Sequence, residues 1–469
     1  MHDNTRLIIE RVERELSQWV APALYSESLP LHIESWDVTG EPVSYDEALR
    51  ATFAPFDVGS LWGRPWGTTW FRFRGTVPQA WVGPRLEANI DLGFRHEYPG
   101  FQAEGLLWSA GGPVQGIHPR RRGVPLPELS GGPFELVVEA AANPLLIKSY
   151  RSPLGSLATA GTDPLYRLER AALCLRDDTV FGLMRDVEVL LGMAKALPSA
   201  DGRRQRTLHA LERAFDTLDL RNITATAKHG RDALAPALDR RAGDGTHRVI
   251  AVGHAHIDTA WLWPIRESIR KCARSFSSAV RLMDDYPEYQ FLCSQAVHYA
   301  WMEEHYPELF ERIRKKVESG QFQPVGGMWV EPDMNLPSGE SIVRQFVLGQ
   351  RYFESRFGIR NREVWIPDVF GYPASLPQIF RAAGCDRFVT QKLRYNRQNR
   401  FPHHTFWWEG IDGSRVLTHF PPVDTYNANL EARESIYADA NFQDHFWSDT
   451  SVIPYGHGDG GGGPTREML

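Results

Sequence analysis

The stretch "AVGHAHIDTAWLWP", Ala251–Pro264, decides the fold. An apolar β-type run opens into His254, His256 and Asp258 on alternate positions, then into Trp261 and Trp263. Side chains alternate along a strand with a period of two, so the three polar groups are predicted to share one face. Imidazole nitrogen and carboxylate oxygen are ordinary ligands for Zn2+ and similar ions. In β/α folds functional residues gather where strands end and βα loops begin. A solvated strand end would show the same letters, so the reading depends on the rest of the chain.

Working outward, strand and helix signals alternate from residue 248 onward. Strands are predicted at "RVIAVGHAHID", "QFLCSQA", "QFQPVGG", "EVWIPD", "RFVTQK", "RVLTHF" and "SVIPYGHG". Helices are predicted at 307–319, opened by Pro307 with a Glu311–Lys315 pair and closed by Gly320, and at 338–357, opened by Ser338. Repeated β–α units imply a mostly parallel sheet with right-handed crossovers, and about seven strands could close into a barrel.

Upstream the texture differs. Residues 30–174 alternate short β-type runs with Gly/Pro turns, among them "TTWFRFRGTVP", "RLEANIDLGF", "GLLWSAGGP" and "FELVVEAAANP", which predicts a β-sandwich. In the first run Trp70, Arg72 and Arg74 alternate with Phe71 and Phe73, the pattern of a half-buried strand. Residues 175–247 read as a connector of two antiparallel helices ending in the linker "RRAGDGTH", 240–247; residues 1–29 read as an amphipathic helix. The expected architecture is multidomain α/β: sandwich, helical connector, then an incomplete seven-stranded-type β/α barrel as the catalytic domain over 248–469, truncated at its C-terminal end.

Composition narrows the function. The chain has 469 residues, 42% hydrophobic and 23% charged, with a formal net charge of −6. It lacks the clustered basic footprint of a nucleic-acid binder; "HPRRRG", 118–123, is read as a solvated loop. Four scattered cysteines, without a CxxC, predict reduced buried thiols and a cytoplasmic protein. No apolar run is long enough for a membrane span. The excess is aromatic, with 15 Trp, which suits either a core or indole faces under sugar rings.

Three further strand ends carry polar residues. In "WIPDVFGYP", Asp368 is placed to ligate a metal, to act as a nucleophile, or to cap a turn. In "WVEPDMNLPSGES", Glu331, Asp333 and Asn335 alternate, fit for binding hydroxyls or for capping the next helix. In "PYGHGDGGGGPT", consecutive glycines let backbone approach a ligand, Asp459 is the sole carboxylate and His457 a further candidate ligand. The motif is no phosphate loop, because GxxxxGK[ST] is absent. Paired carboxylates suit a glycosidase, and a His/Asp metal equally suits a carbohydrate deacetylase; the residues alone leave both open.

Taken in order, "GHAHIDTAWLWP", "WVEPDMNLPSGES", "WIPDVFGYPASLPQIF", "TQKLRYNRQNRFPHHTFWWEGIDGS" and "YGHGDGGGGPT" resemble glycoside hydrolase family 38, the class II α-mannosidases, in particular their cytosolic, vacuolar and bacterial branch. "PWGTTWFRF" resembles that branch's N-terminal β-sandwich. The resemblance implies a retaining exo-α-mannosidase acting on α-mannoside oligosaccharides with a bound Zn2+, replaceable by Co2+, that grips sugar hydroxyls. It implies His256, Asp258 and Asp368 as metal ligands, Asp368 also as nucleophile and Asp459 as general acid/base. Trp261 would stack under the sugar, Phe370 would wall the same subsite, and Lys392 would stand near the nucleophile where some relatives carry arginine. His254 is expected to hydrogen-bond behind the ligands. The family's fourth metal ligand, a histidine in a later motif, lies beyond the end of this sequence, and His457 is the nearby substitute. The chain thus reads as the first half of such an enzyme. Apolar surface left uncovered would favour homo-oligomers, and a sugar-binding role without catalysis is an alternative.

Overall fold

The computed structural model describes residues 4–81, 85–129, 131–146, 157–240, 243 and 246–469. Residues 241, 242, 244 and 245 of the predicted linker lie outside the described residues.

Two antiparallel sheets form the predicted sandwich. One orders Tyr25–Pro30, Arg170–Arg176, Leu86–Asp91 and Gly123–Pro125; the other orders Ala54–Phe56, His32–Asp37, Thr68–Val77, Gly132–Ala141, Glu104–Ser109 and Gly112–Ile117. Phe71, Phe73, Ile117 and Val138 from the second sheet meet Leu86, Ile90 and Leu173 from the first in a shared core. The half-buried pattern at Trp70–Arg74 is only partly realised. Trp70 is buried on the opposite face with Val38, Ala48 and Val137. On that face Arg74 pairs with Glu34 at 2.9 Å and Glu135 at 2.7 Å on the flanking strands.

The N-terminal helix is shorter than expected. It runs Thr5–Glu15, widens through a π turn at Leu16–Val20, tightens into a 3-10 turn containing Pro22, and gives way to the strand Tyr25–Pro30. That strand pairs with Ala172–Arg176, so residues 25–29 belong to the sandwich. Val12 and Val20 pack with Val180, Leu183 and Leu211 of the connector. The connector has three helices where two were expected: Asp178–Ala196, Gly202–Asp216 and Ile223–Leu238, the last capped by Asn222, which accepts from the Ala225 amide. A further misreading is local: Glu311 pairs with Arg314 at 2.8 Å.

The C-terminal domain has eight strands: β1 Arg248–His254, β2 Phe291–Cys293, β3 Phe322–Pro324, β4 Glu363–Trp365, β5 Arg387–Val389, β6 Thr405–Glu409, β7 Arg415–His419 and β8 Thr450–Tyr455. They divide into two four-stranded sheets. One, ordered β3-β2-β1-β8, is parallel throughout; the other, β4-β5-β7-β6, is parallel except for the unpredicted β6, which runs against β7. Side chains bridge the seams: Asn361 Nδ2 donates to Pro324 O at 2.8 Å, and the Val452 amide donates to His419 Nε2 at 3.3 Å. Leu292, Val325 and Trp365 form one apolar cluster drawn from both sheets.

The helix Ile265–Asp285 welds this domain to the sandwich. Its Glu267, Arg270, Lys271 and Arg274 are buried with Glu104 and Glu139 of the sandwich. Arg270 reaches Glu139 at 2.9 Å, Arg274 reaches Glu104 at 3.2 Å, and Lys271 pairs with Glu104 while donating to Gly100 O at 2.8 Å. Three acids and three bases balance, as buried charges must. The motif "HPRRRG" is no solvated loop. Arg121 is buried and donates to Gly462 O at 3.3 Å and to Pro464 O, clamping the Gly-rich segment.

Candidate active site

The site is assembled where β1, β2, β3, β4 and β8 run out. β1 stops at His254, so His256 and Asp258 sit in the segment beyond it. Gln295 braces that segment: its Nε2 donates to Ile257 O at 3.0 Å, and its Oε1 accepts from Thr259 Oγ1 at 2.6 Å and from the Glu331 amide at 3.2 Å. Gln295 holds a left-handed φ of 67°, costly for a side chain of its kind and typical of a braced site.

His256, Asp258, Asp368 and Asp459 each offer a ligand atom, and these atoms lie within 4.8 Å of one another. His256 Nε2 is 3.4 Å from Asp258 Oδ1 and 3.5 Å from Asp368 Oδ2, while its Nδ1 is 3.7 Å from Glu331 Oε2. Neither ring nitrogen has a hydrogen-bond partner among the described residues, although the residue is buried. Burial pulls the His256 pKa down, but Glu331, Asp258 and Asp368 push it well above its ordinary value. Three close carboxylates around a buried imidazole with free nitrogens form a cradle of negative charge that a divalent cation fits.

The carboxylates differ in character. Asp368 accepts from Lys392. Burial pushes its pKa up, yet His256 and Lys392 outweigh that and hold it below the ordinary value. Asp459 is pushed the other way, by burial and by the charges of Asp258 and Asp368. Its Oδ1 accepts from the Tyr426 hydroxyl at 3.0 Å. Opposite shifts on paired carboxyls are what separate a nucleophile from an acid. Glu331 is raised to about 7 by burial and accepts from Ser294 Oγ.

His256, Asp258, Glu331, Asp333, Asp368 and Phe370 line a cavity of about 420 Å³. Phe370 is 80% exposed, and Lys392 Nζ stands 4.4 Å from its ring centroid. Trp261 is not among the lining residues; it is half exposed and edge-on to Phe101 of the sandwich at 5.8 Å. His254 stands behind the centre. Its Nδ1–H donates to Tyr426 O and its Nε2 accepts from Trp365 Nε1, each at 3.2 Å. His457 does not join the cluster. Its backbone pairs with Gly463, its ring lies 6.1 Å from that of His118, and burial lowers its pKa to about 4; Asp459 is the fourth residue of the group instead.

The glycines serve packing. A Cβ on Gly460 would lie 2.6 Å from Gly100 O, and one on Gly461 would lie 2.5 Å from Ser275 Oγ. The segment therefore threads between the sandwich and the helix Ile265–Asp285, which sets Asp459 beside Asp258, whose amide donates to Asp459 O at 2.9 Å. The sequence reading missed Tyr426 and Gln295, and offered Glu331 for binding hydroxyls or capping a helix, where it faces His256 at 3.7 Å. No local signal marks Tyr426. The Ser-Gln pair closing "QFLCSQA" was the available hint for Gln295.

The chain thus fuses a β-sandwich to an α/β domain that carries a His/Asp cluster able to hold a cation and two carboxyls of opposite character. Residues 246–469 match the family described as glycosyl hydrolases family 38 N-terminal domain, and residues 29–174 match the alpha-mannosidase jelly roll domain. Among relatives, alpha-mannosidase 2C1 of Homo sapiens is 41% identical over 99% of this chain and 44% of its own length. Alpha-mannosidase G of Dictyostelium discoideum is 37% identical over 98% of this chain and 43% of its own. The alpha-mannosidase of Saccharomyces cerevisiae is 34% identical over 91% and 40%. A solved alpha-mannosidase from Enterococcus faecalis V583 aligns at 20% identity over 46% of this chain and 26% of its own, with a TM-score of 0.40. The chain belongs to glycoside hydrolase family 38. It spans less than half the length of these three relatives.

Proposed function

We propose that this centre hydrolyses terminal α-D-mannosyl residues of oligosaccharides with retention of configuration. The carrying observation is the short gap between two carboxyls of opposite character. Ligand atoms of Asp368 and Asp459 lie within 4.8 Å of each other, short of the ~6.5–9.5 Å that leaves room for an attacking water in inverting glycosidases. Asp368, kept ionised by Lys392 and His256, attacks the anomeric carbon as the glycosidic C–O bond breaks. Asp459, whose pKa is raised by burial and by its anionic neighbours, serves as the acid that gives a proton to the departing oxygen. Water then attacks the mannosyl–Asp368 ester, and Asp459 takes up its proton. His256, Asp258 and Asp368 would hold a divalent ion, Zn2+ with Co2+ as a substitute, which when bound supplies Lewis-acid grip on the sugar hydroxyls. Phe370 and the outlying Trp261 offer apolar faces for the ring. Four buried unpaired cysteines suit a reducing cytoplasm.

Asp459 lies close enough to be a ligand or the acid, and one variant separates the roles. Asp459→Ala should keep the metal and slow alkyl mannosides by ~10²–10⁴-fold, while activated aryl mannosides, which need little protonation, are slowed far less. Loss of the metal with equal slowing of both substrates would make Asp459 a ligand and place the acid elsewhere. Release of β-mannose from an α-mannoside, seen by proton NMR of the first product, would overturn retention.

A further inference from the structure

We propose that His247, Asp439 and His445 form a second, peripheral site for a divalent transition-metal ion of the Zn2+ class. Each offers a ligand atom, and these atoms lie within 4.8 Å of one another. His247 enters β1, Asp439 sits near the end of the helix Ala432–Asn441, and His445 follows that helix. The set therefore joins segments almost two hundred residues apart in sequence.

The ring nitrogens are arranged for ligation. His445 Nε2 lies 3.2 Å from Asp439 O; a carbonyl only accepts, so Nε2 carries the proton and Nδ1 keeps its lone pair. His247 Nε2 is bonded to Ser451 Oγ at 2.8 Å, while its Nδ1 is buried with no hydrogen-bond partner among the described residues. A histidine held at one nitrogen and free at the other is the usual form of a metal ligand. The two rings are nearly perpendicular with centroids 5.4 Å apart, and Phe442 packs on His247 at 4.8 Å, fixing its orientation. Two imidazoles and a carboxylate with no thiolate select Zn2+, Cu2+, Ni2+ or Co2+ over Ca2+ or Mg2+.

This site is distinct from the catalytic centre. His247 and His254 bracket the seven-residue β1, which at ~3.3 Å per residue sets them roughly 23 Å apart. A metal here would staple the entry of β1 to the helix after β7, leaving a coordination position to water.

The test is metal stoichiometry. The chain is stripped with chelator, dialysed against micromolar ZnCl2 and then metal-free buffer, and analysed for zinc per chain. His445→Ala and Asp439→Asn change exposed side chains, so they should fold, which circular dichroism checks. Each should carry one equivalent fewer than the parent chain, whatever the catalytic centre holds. In an Asp258→Ala background, Zn2+ should still raise the melting temperature, and adding His445→Ala should abolish that rise. Equal zinc content in the parent chain and both peripheral variants would overturn the proposal, as would a Zn2+-induced rise that survives His445→Ala.

Discussion

Lys271→Met should be among the most damaging single substitutions outside the candidate active site. The Lys271 side chain is 1% exposed, and those of Glu104 and Arg274 are each 4% exposed. Lys271 Nζ pairs with Glu104 and donates to Gly100 O at 2.8 Å. Methionine retains most of the stem volume, so the cost falls on charge and hydrogen bonding and little on packing. Three acids then face two bases in a buried cluster, and Glu104 keeps only Arg274 at 3.2 Å and Asn143 at 3.1 Å. Removing one partner of a buried ion pair costs ~3–5 kcal/mol, roughly 140- to 3,700-fold in the unfolding equilibrium at ~1.4 kcal/mol per tenfold. Guanidinium denaturation followed by tryptophan fluorescence reads this directly. Glu104→Gln should cost a similar amount. The double variant restores neutrality, so it should cost less than the two singles together by at least ~1 kcal/mol. A single cost below ~1 kcal/mol, or additivity within ~0.5 kcal/mol, would refute the claim that these charges weld the domains.

Two further outcomes follow from the same geometry. His419 is partly buried at the seam between the sheets, where its Nε2 accepts from the Val452 amide and its Nδ1 bonds Thr405 Oγ1 at 2.9 Å. Burial lowers its pKa from 6.5 to about 4, so between those values the unfolded chain takes up a proton that the folded chain refuses. Its contribution is complete above pH 6.5 and is lost as pH falls toward 4, ~3 kcal/mol in all; His419→Asn should flatten the stability–pH curve by about that much, and an unchanged slope would count against the seam. Gly460→Ala would drive a Cβ into Gly100 O and should cost at least ~2 kcal/mol with faster proteolysis of the Gly-rich segment, whereas an unchanged cleavage rate would mean that the contact is slack.

Much of the α/β domain was legible in the sequence because its signals are local. Apolar runs ending in polar residues located seven of its eight strands, and caps such as Ser338, which accepts from the Ser341 amide, located helices. What escaped depends on partners far along the chain. Arg121 looked solvated because its acceptors, Gly462 and Pro464, lie some 340 residues away. The alternation of His254, His256 and Asp258 was visible, but not that His254 is spent on Trp365 and the Tyr426 carbonyl. The antiparallel β6 was missed because its tryptophans alternate weakly, with Trp407 exposed beside the half-buried Trp408.

The least legible feature explains why the sandwich accompanies this centre. His256, Asp258 and Asp368 come from the α/β domain by strand-end geometry alone, but Asp459 does not. Its segment leaves β8, turns through glycines at φ values of 79°, 115° and 63°, and is gripped from the sandwich side by Arg121 and Gly100 and from the helix side by Ser275, whose Oγ accepts from Gly462 N at 2.9 Å. Asp459 is itself held at a φ of 28°, a strain that only such bracing sustains. Its raised pKa depends on its sheltered place beside Asp258 and Asp368, since relaxing the segment would let it move toward water and bring that pKa back down. On the proposed mechanism the buried ion cluster would therefore act on chemistry as well as on stability. Lys271 fixes Gly100, Gly100 limits Gly460, and Gly460 adjoins the carboxyl whose proton the proposed reaction needs. A substitution in the sandwich that leaves the metal ligands untouched should thus impair proton donation first and metal binding last.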